Sequence, residues 1–258
     1  MNPVVVLAYD GTCDAAVIEA LGRQASADVV TMTVDIGHSC DVHVARDVAL
    51  SAGAVRAHIV NAVEGFVREC VLPTLLCRRD VTARHSSTTL AYPIIAAHLV
   101  DIARREQARL VAHGGSSSLT AAITALDPTL QVLTVESVDR SAPTTVAPSC
   151  HLLQRPVADP AIARGLPANV EIRFDASVPV SINGVSLTLA ELIESLSLIG
   201  GQHGIGHAES ADAPGVLVLA TAYRALDHGS GVVRIELLDG RQRVLSTEDC
   251  TPALVNHA

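Results

Sequence analysis

The chain has 258 residues, is 49% hydrophobic and 17% charged, and carries a formal net charge of −9. That length and apolar content can bury a full core, as one large domain or two small ones, and exclude a disordered chain. The acidic balance excludes nucleic acid as the main partner, because gripping phosphates needs basic patches, and three Tyr, two Phe and no Trp leave little for stacking on bases or sugars.

The six cysteines, at 13, 40, 70, 77, 150 and 250, are scattered without a CxxC pair. The first residues show no basic stretch followed by an apolar run, and no uncharged run is long enough to cross a bilayer. Reduced thiols, a cytoplasmic location and no membrane association are therefore expected.

The first half alternates strand and helix. Strands are predicted near 3–8, 28–34, 55–60, 109–113 and 130–134, and helices over 14–25, 41–52, 62–77, 88–107 and 117–126. Such alternation with short links gives right-handed βαβ units and a parallel sheet covered on both faces. A small-molecule ligand then belongs in the cleft at the carboxyl ends of the strands, at Ala8–Asp14, Thr33–His38, Asn61 and His113–Ser118. The first of these is the most informative. Val4-Val5-Val6-Leu7 reads as a buried strand, Gly11 permits a tight turn, and Asp14 opens a helix with Val17, Ile18 and Leu21 on one face. Strand, turn and helix in that order aim backbone N–H groups and a helix dipole at an anion.

The texture changes over 138–168, where Pro and Gly accumulate, which predicts an irregular linker between a nucleotide-binding-like domain at 1–137 and a smaller α+β domain at 169–258. In that second part Val170–Phe174 and Val178–Ile182 read as short strands and Asn183-Gly184 as a tight turn. Thr188 and Glu191 have the spacing of a capping box, opening a helix with Leu189, Leu192, Ile193, Leu196 and Ile199 on one face. Gly200-Gly201 is expected to end it. Pro214 is expected to start a further helix reaching Leu226, and Val232–Leu238 with Arg241–Leu245 forms a hairpin turning at Asp239-Gly240.

Other chemistry-bearing residues are weaker candidates. His38, Cys40 and His43 match no metal-ligand spacing, and Asp41 reads as a first-turn acid of a helix; no metal site is assigned. Cys13 lies in the anion loop, where a helix N-terminus depresses a thiol pKa, but a nucleophile needs a base that the sequence does not reveal. Ser116-Ser117-Ser118 is either an anion-binding hydroxyl cluster or a helix cap. His203 and His207 flank a glycine turn.

Several segments, in order, resemble the argininosuccinate synthase family: Leu7–Asp14, Thr33–His38, Thr88–Ala96, Leu110–Gly114, Val178–Gly184 and Gly200–Gly206. The resemblance implies a Rossmann-like domain of the adenine nucleotide alpha hydrolase type, with a parallel sheet, followed by a smaller α+β domain. It also implies a ligase that uses ATP with Mg²⁺ to adenylate the ureido oxygen of citrulline before the amine of aspartate displaces AMP. By position in the family's motifs, Ala8, Tyr9, Asp10, Gly11, Thr12, Cys13, Asp14, Val34, His113, Gly114, Gly115 and Ser116 would face the nucleotide. Arg84, Thr88, Thr89, Ser118 and Thr120 would face the amino-acid substrates. No catalytic residue is assigned.

The departures from the family fall on those positions. Asp10 stands where the phosphate loop has a serine, and Thr12 replaces a glycine. A carboxylate about 4 Å from a phosphate costs about 4 kcal/mol at an effective dielectric near 20, and a magnesium ion between them would reverse the sign. Asp10 therefore either weakens ATP binding or alters it. In the second loop Ser118, Thr120 and Ala121 replace a lysine, an asparagine and an aspartate, and Thr124 replaces an arginine. Tyr92 replaces another arginine. The stretch 122–177 is shorter than its family counterpart, and the family's C-terminal assembly helix has no counterpart. Two readings follow: a diverged ATP-dependent, AMP-forming C–N ligase in a secondary pathway, or a non-catalytic paralogue serving as a binding or partner subunit. A homo-oligomer or a protein partner fits either.

Overall fold

A computed structural model of the chain describes residues 2–9, 16–37, 41–77, 87–114, 117–134, 165–206, 213–227 and 229–249, with the side chains of 87–89 excepted. These residues divide into two compact units, one drawn from Met1–Phe66 and His85–Cys150, the other from Val67–Arg84 and His151–Ala258.

The first unit is a five-stranded parallel sheet. Its elements in chain order are β1 (Val4–Ala8), α1 (Ala16–Ala25), β2 (Asp28–Asp35), α2 (Val42–Ser51), β3 (Arg56–Asn61), α3 (Val63–Phe66), α5 (Ser87–Arg105), β4 (Leu110–His113), α6 (Ser117–Leu126) and β5 (Gln131–Thr134). The strand order is β3-β2-β1-β4-β5, so the chain reverses its direction of travel across the sheet between β1 and β4. All four pairings are parallel. The apolar run of β1 is explained by burial from both sides. Val5, Leu7 and Tyr9 pack with Val17, Ile18 and Leu21 of α1 and Ala45 and Ala49 of α2. Val6 is also fully buried, and α5 packs against β1, β2 and β4.

Two local features differ from expectation. Asp41 is the cap of α2 and not a first-turn acid: its carboxylate accepts the His43 N–H at 2.8 Å. Within the span predicted as one helix over 62–77, α3 gives way to a π-helical turn at Val67–Val71 before α4 (Leu72–Leu76). The division between the two units falls at that change of helix type, with Phe66 in the first and Val67 in the second.

The second unit is built on an antiparallel sheet of order β10-β9-β6-β7-β8, comprising β6 (Ala168–Asp175), β7 (Val178–Ile182), β8 (Val185–Ser186), β9 (Gly231–Leu238) and β10 (Arg241–Asp249). Alternate residues Val170, Ile172 and Phe174 of β6 and Val233, Ile235 and Leu237 of β9 are buried. Their neighbours on the other face form a charge ladder in which Arg234 donates to Glu171 and Glu248, and Arg243 to Glu236. The helices are α7 (Leu189–Gln202) and α8 (Pro214–Ala225). The capping box at Thr188 and Glu191 is complete in both directions.

Gly200-Gly201 does not end α7, which runs through both residues to Gln202 with His203 as its cap. The reason is packing. A Cβ on Gly200 would lie 3.0 Å from Pro214 Cβ, so the glycine is there to let α8 approach, and termination passes to Gly204 at φ +77°.

Tyr223 of α8 sets up a test. Its ring meets Phe174 edge-on at a centroid distance of 5.0 Å, and its hydroxyl donates to the Ser177 carbonyl at 2.9 Å. That carbonyl belongs to a tight turn whose two central residues, Ala176 and Ser177, both have positive φ. Burial pushes the phenol well above its ordinary range. The unfolded chain releases this proton near pH 10 and the folded chain does not, so the unfolded state binds fewer protons above that pH and stability falls as pH rises. All 18 basic residues are arginine, so no lysine titrates in the same window. Tyr223→Phe is expected to cost about 1 kcal/mol at pH 7 and to show a shallower loss of stability above pH 10. Urea unfolding at pH 7 and pH 10.5 checks it, and equal slopes for both proteins would refute the assignment.

Candidate functional site

In the first unit the switch between β1 and β4 places two strand ends side by side. Ala8 of β1 is in register with His113 of β4 on one side and with Met32 of β2 on the other. Open parallel sheets bind ligands outside such a pair of ends, because the loops that follow diverge to opposite faces.

Each end is held by identifiable bonds. Beyond Ala8, the Tyr9 N–H donates to the Met32 carbonyl at 2.9 Å, which extends the strand by one residue. The Tyr9 ring is 2% exposed and packs in the α1–α2 cluster, so its side chain belongs to the core. His113 is 1% exposed, and its Nε2 lies 3.0 Å from Thr120 Oγ1. That bond ties the end of β4 to the second turn of α6. Gly114 follows, half-buried.

α6 then begins with Ser117 and Ser118, both exposed. The first N–H groups of a helix have no partner within it, and with hydroxyls beside them they suit an anion. Over its whole length, Ser117 to Leu126, α6 carries no ionisable side chain. Thr124 Oγ1 donates back to the Thr120 carbonyl at 2.9 Å. At the end of β2, Asp35 Oδ1 accepts the Gly37 N–H at 2.9 Å, with Gly37 at φ +84°. This turn is not among the residues that the sequence nominates individually, although the Asp-x-Gly spacing is its signature. Val34, one residue earlier, is buried.

Of the nominated residues, the structure brings Ala8, His113 and Thr120 together across β1, β4 and α6. Val34 lies on the neighbouring strand β2, and Ser118 on the outer first turn of α6. Thr88 and Thr89 are in the first turn of α5, and Tyr92, one turn on, is buried. Asp10, Gly11, Thr12, Cys13, Asp14, Arg84, Gly115 and Ser116 lie outside the described residues, as do His38, Cys40 and His207. Among the described residues no group of three or more His, Cys, Asp or Glu converges as a metal site would, and no helix is long and apolar enough to cross a membrane. Cys70 and Cys77 are free thiols, and burial, reinforced by Glu69, pushes the Cys70 thiol up.

Comparison with known proteins agrees with this architecture. Residues 4–135 match the family model described as the arginosuccinate synthase N-terminal HUP domain, and residues 146–212 match that of the arginosuccinate synthase C-terminal domain. The argininosuccinate synthase of Streptococcus suis is 28% identical over 282 residues, covering 86% of this chain and 71% of that protein. That of Symbiobacterium thermophilum is 32% identical over 283 residues, at the same coverages. That of Bacillus velezensis is 29% identical over 282 residues, covering 86% of this chain and 70% of its own.

Proposed function

The chain belongs to the argininosuccinate synthase family, and from that premise we propose that it is a diverged ATP-dependent, AMP-forming C–N ligase of the cytoplasm, acting in a secondary pathway on substrates other than the citrulline–aspartate pair. The observation that carries this reading is the contrast at the β1–β4 switch. The strand ends beside which the family would hold a nucleotide are bonded in place, with His113 joined to Thr120. The helix that would meet the amino-acid substrates is uncharged from end to end.

The residues present fit an adenine nucleotide in part. The backbone of Gly114 and the first turn of α6 would supply neutral donors beside the ends of β1 and β4, and ATP would bring the phosphoanhydride whose cleavage drives adenylation. An α-carboxylate and an α-ammonium need paired charges. Ser118, Thr120, Ala121 and Thr124 offer hydroxyl and methyl groups instead, and with no lysine in the chain any cationic side chain in this cleft must be arginine or histidine. A neutral or singly charged acceptor matches that lining better than a zwitterion does.

The uncharged α6 also favours a second reading, a non-catalytic binding or partner subunit that keeps the fold. Isotope exchange between ATP and pyrophosphate separates the two. The ligase reading expects exchange that depends on an added carboxylate or ureido compound and is absent with citrulline. Nucleotide binding by calorimetry without exchange across a broad panel supports the second reading. Rescue of an arginine auxotroph by this chain would overturn both.

A further inference from the structure

Among the described residues of the second unit, one long strand forms an edge of the sheet. Among those residues β10 bonds to β9 alone and closes the sheet order β10-β9-β6-β7-β8. Its nine residues are Arg-Gln-Arg-Val-Leu-Ser-Thr-Glu-Asp, and its middle carries Val244 and Leu245, which are 38% and 44% exposed. A strand edge of this length is a template for another strand, and proteins normally blunt it with charge, proline or a bulge.

The charges on β10 do more than blunt it. Both cations, Arg241 and Arg243, are at its start, and both anions, Glu248 and Asp249, are at its end. A parallel neighbour of the same sequence would set like charge against like. An antiparallel copy would set each cationic end against an anionic one. The bulge at Leu245, between Val244 and Ser246 in the register with β9, makes this match by face as well as by order. Arg241 and Arg243 pair with Leu238 and Glu236, and Ser246 and Glu248 pair with Arg234 and Val232, so all four β10 residues lie on the charge-ladder face. Without the bulge, the two ends would present opposite faces.

We propose that β10 is a dimerisation edge, pairing antiparallel with β10 of a second copy of this chain about a two-fold axis at Val244. Val244 then faces its own counterpart, Arg243 faces Ser246 of the other copy, and Arg241 faces Glu248. The two five-stranded sheets become one continuous sheet. The apolar centre supplies the contact and the charged flanks set direction and register, which makes the association sensitive to salt.

Sedimentation velocity on the full chain, over a range of protein and salt concentrations, tests this. The wild type is expected to dimerise, and roughly 0.5 M salt to weaken it several-fold by screening. Val244→Lys places two like charges across the axis and is expected to weaken dimerisation at least about tenfold, with an unchanged far-UV circular dichroism spectrum. Arg241→Glu should weaken it in the same direction without touching the apolar centre. Under oxidation Val244→Cys is expected to give a disulfide between identical positions, located by peptide mapping. Dimers as tight in Val244→Lys and Arg241→Glu as in the wild type would overturn the proposal. So would a monomer at every concentration, whether the β10 amides exchange freely or are covered by residues 250–258.

Discussion

Replacing Gly215 with alanine is expected to destabilise the protein by roughly 3 kcal/mol, the upper end of what overpacking by a single methyl costs. A Cβ at this position would collide with the Ile193 carbonyl oxygen and lie 2.6 Å from Ser197 Oγ and 2.8 Å from Ser197 N. Two of those three atoms are backbone within α7, so no side chain can swing aside to make room. The helices would have to separate, and Leu192, Ile193, Leu196, Val218 and Leu219, all fully buried, would lose contact. Separation would also break the bond from the Gly215 N–H to Ser197 Oγ at 3.1 Å, which satisfies a buried donor in the first turn of α8. Gly65→Ala is the control, because its added Cβ meets only the flexible tip of Ile94 at 3.3 Å. Urea unfolding should separate the two variants clearly. Equal midpoints would mean that the approach of α7 to α8 is not as close as described.

The second large effect is expected at His113. Truncation to alanine removes a buried ring and its bond to Thr120, and should cost about 3 kcal/mol, made of a cavity and a lost hydrogen bond that leaves a half-buried hydroxyl without this partner. The diagnostic measurement is the coupling. In a double-mutant cycle with Thr120→Val, the two changes should be non-additive by about 1 kcal/mol, because either one already breaks the bond. Strict additivity would show that His113 is held by something else. The same cycle bears on function. If His113 serves to fix the start of α6 beside the nucleotide, Thr120→Val should weaken the thermal shift produced by ATP–Mg²⁺ while altering no charge.

Legibility from sequence followed the range of the interaction. The five parallel strands and the helices between them were readable because each is encoded by its own apolar period and turn residues. The capping box at Thr188 and Glu191 was readable for the same reason, since both partners lie within one helical turn. The family was readable from short ordered motifs. Some misreadings were local, at the Asp41 cap of α2 and at the π-helical turn Val67–Val71; another came where a residue's partner lies far along the chain. Gly200-Gly201 looks like a helix stop, and only Pro214 of α8 explains why α7 runs through it. Tyr9 stands at a motif position, and what the order of residues does not report is that its ring packs in the α1–α2 cluster.

The candidate site shows the same boundary. Which residue types stand at the motif positions, and that α6 lacks charge, are properties of the order of amino acids and need no coordinates. That the Thr120 hydroxyl is engaged by His113, and that a bulge brings both charged ends of β10 onto one face, are properties of packing and register. Sequence determines locally because backbone conformation and hydrophobic period act over a few residues. Tertiary structure decides the rest because a hydrogen bond or a close approach depends on distance in space, which separation along the chain does not report.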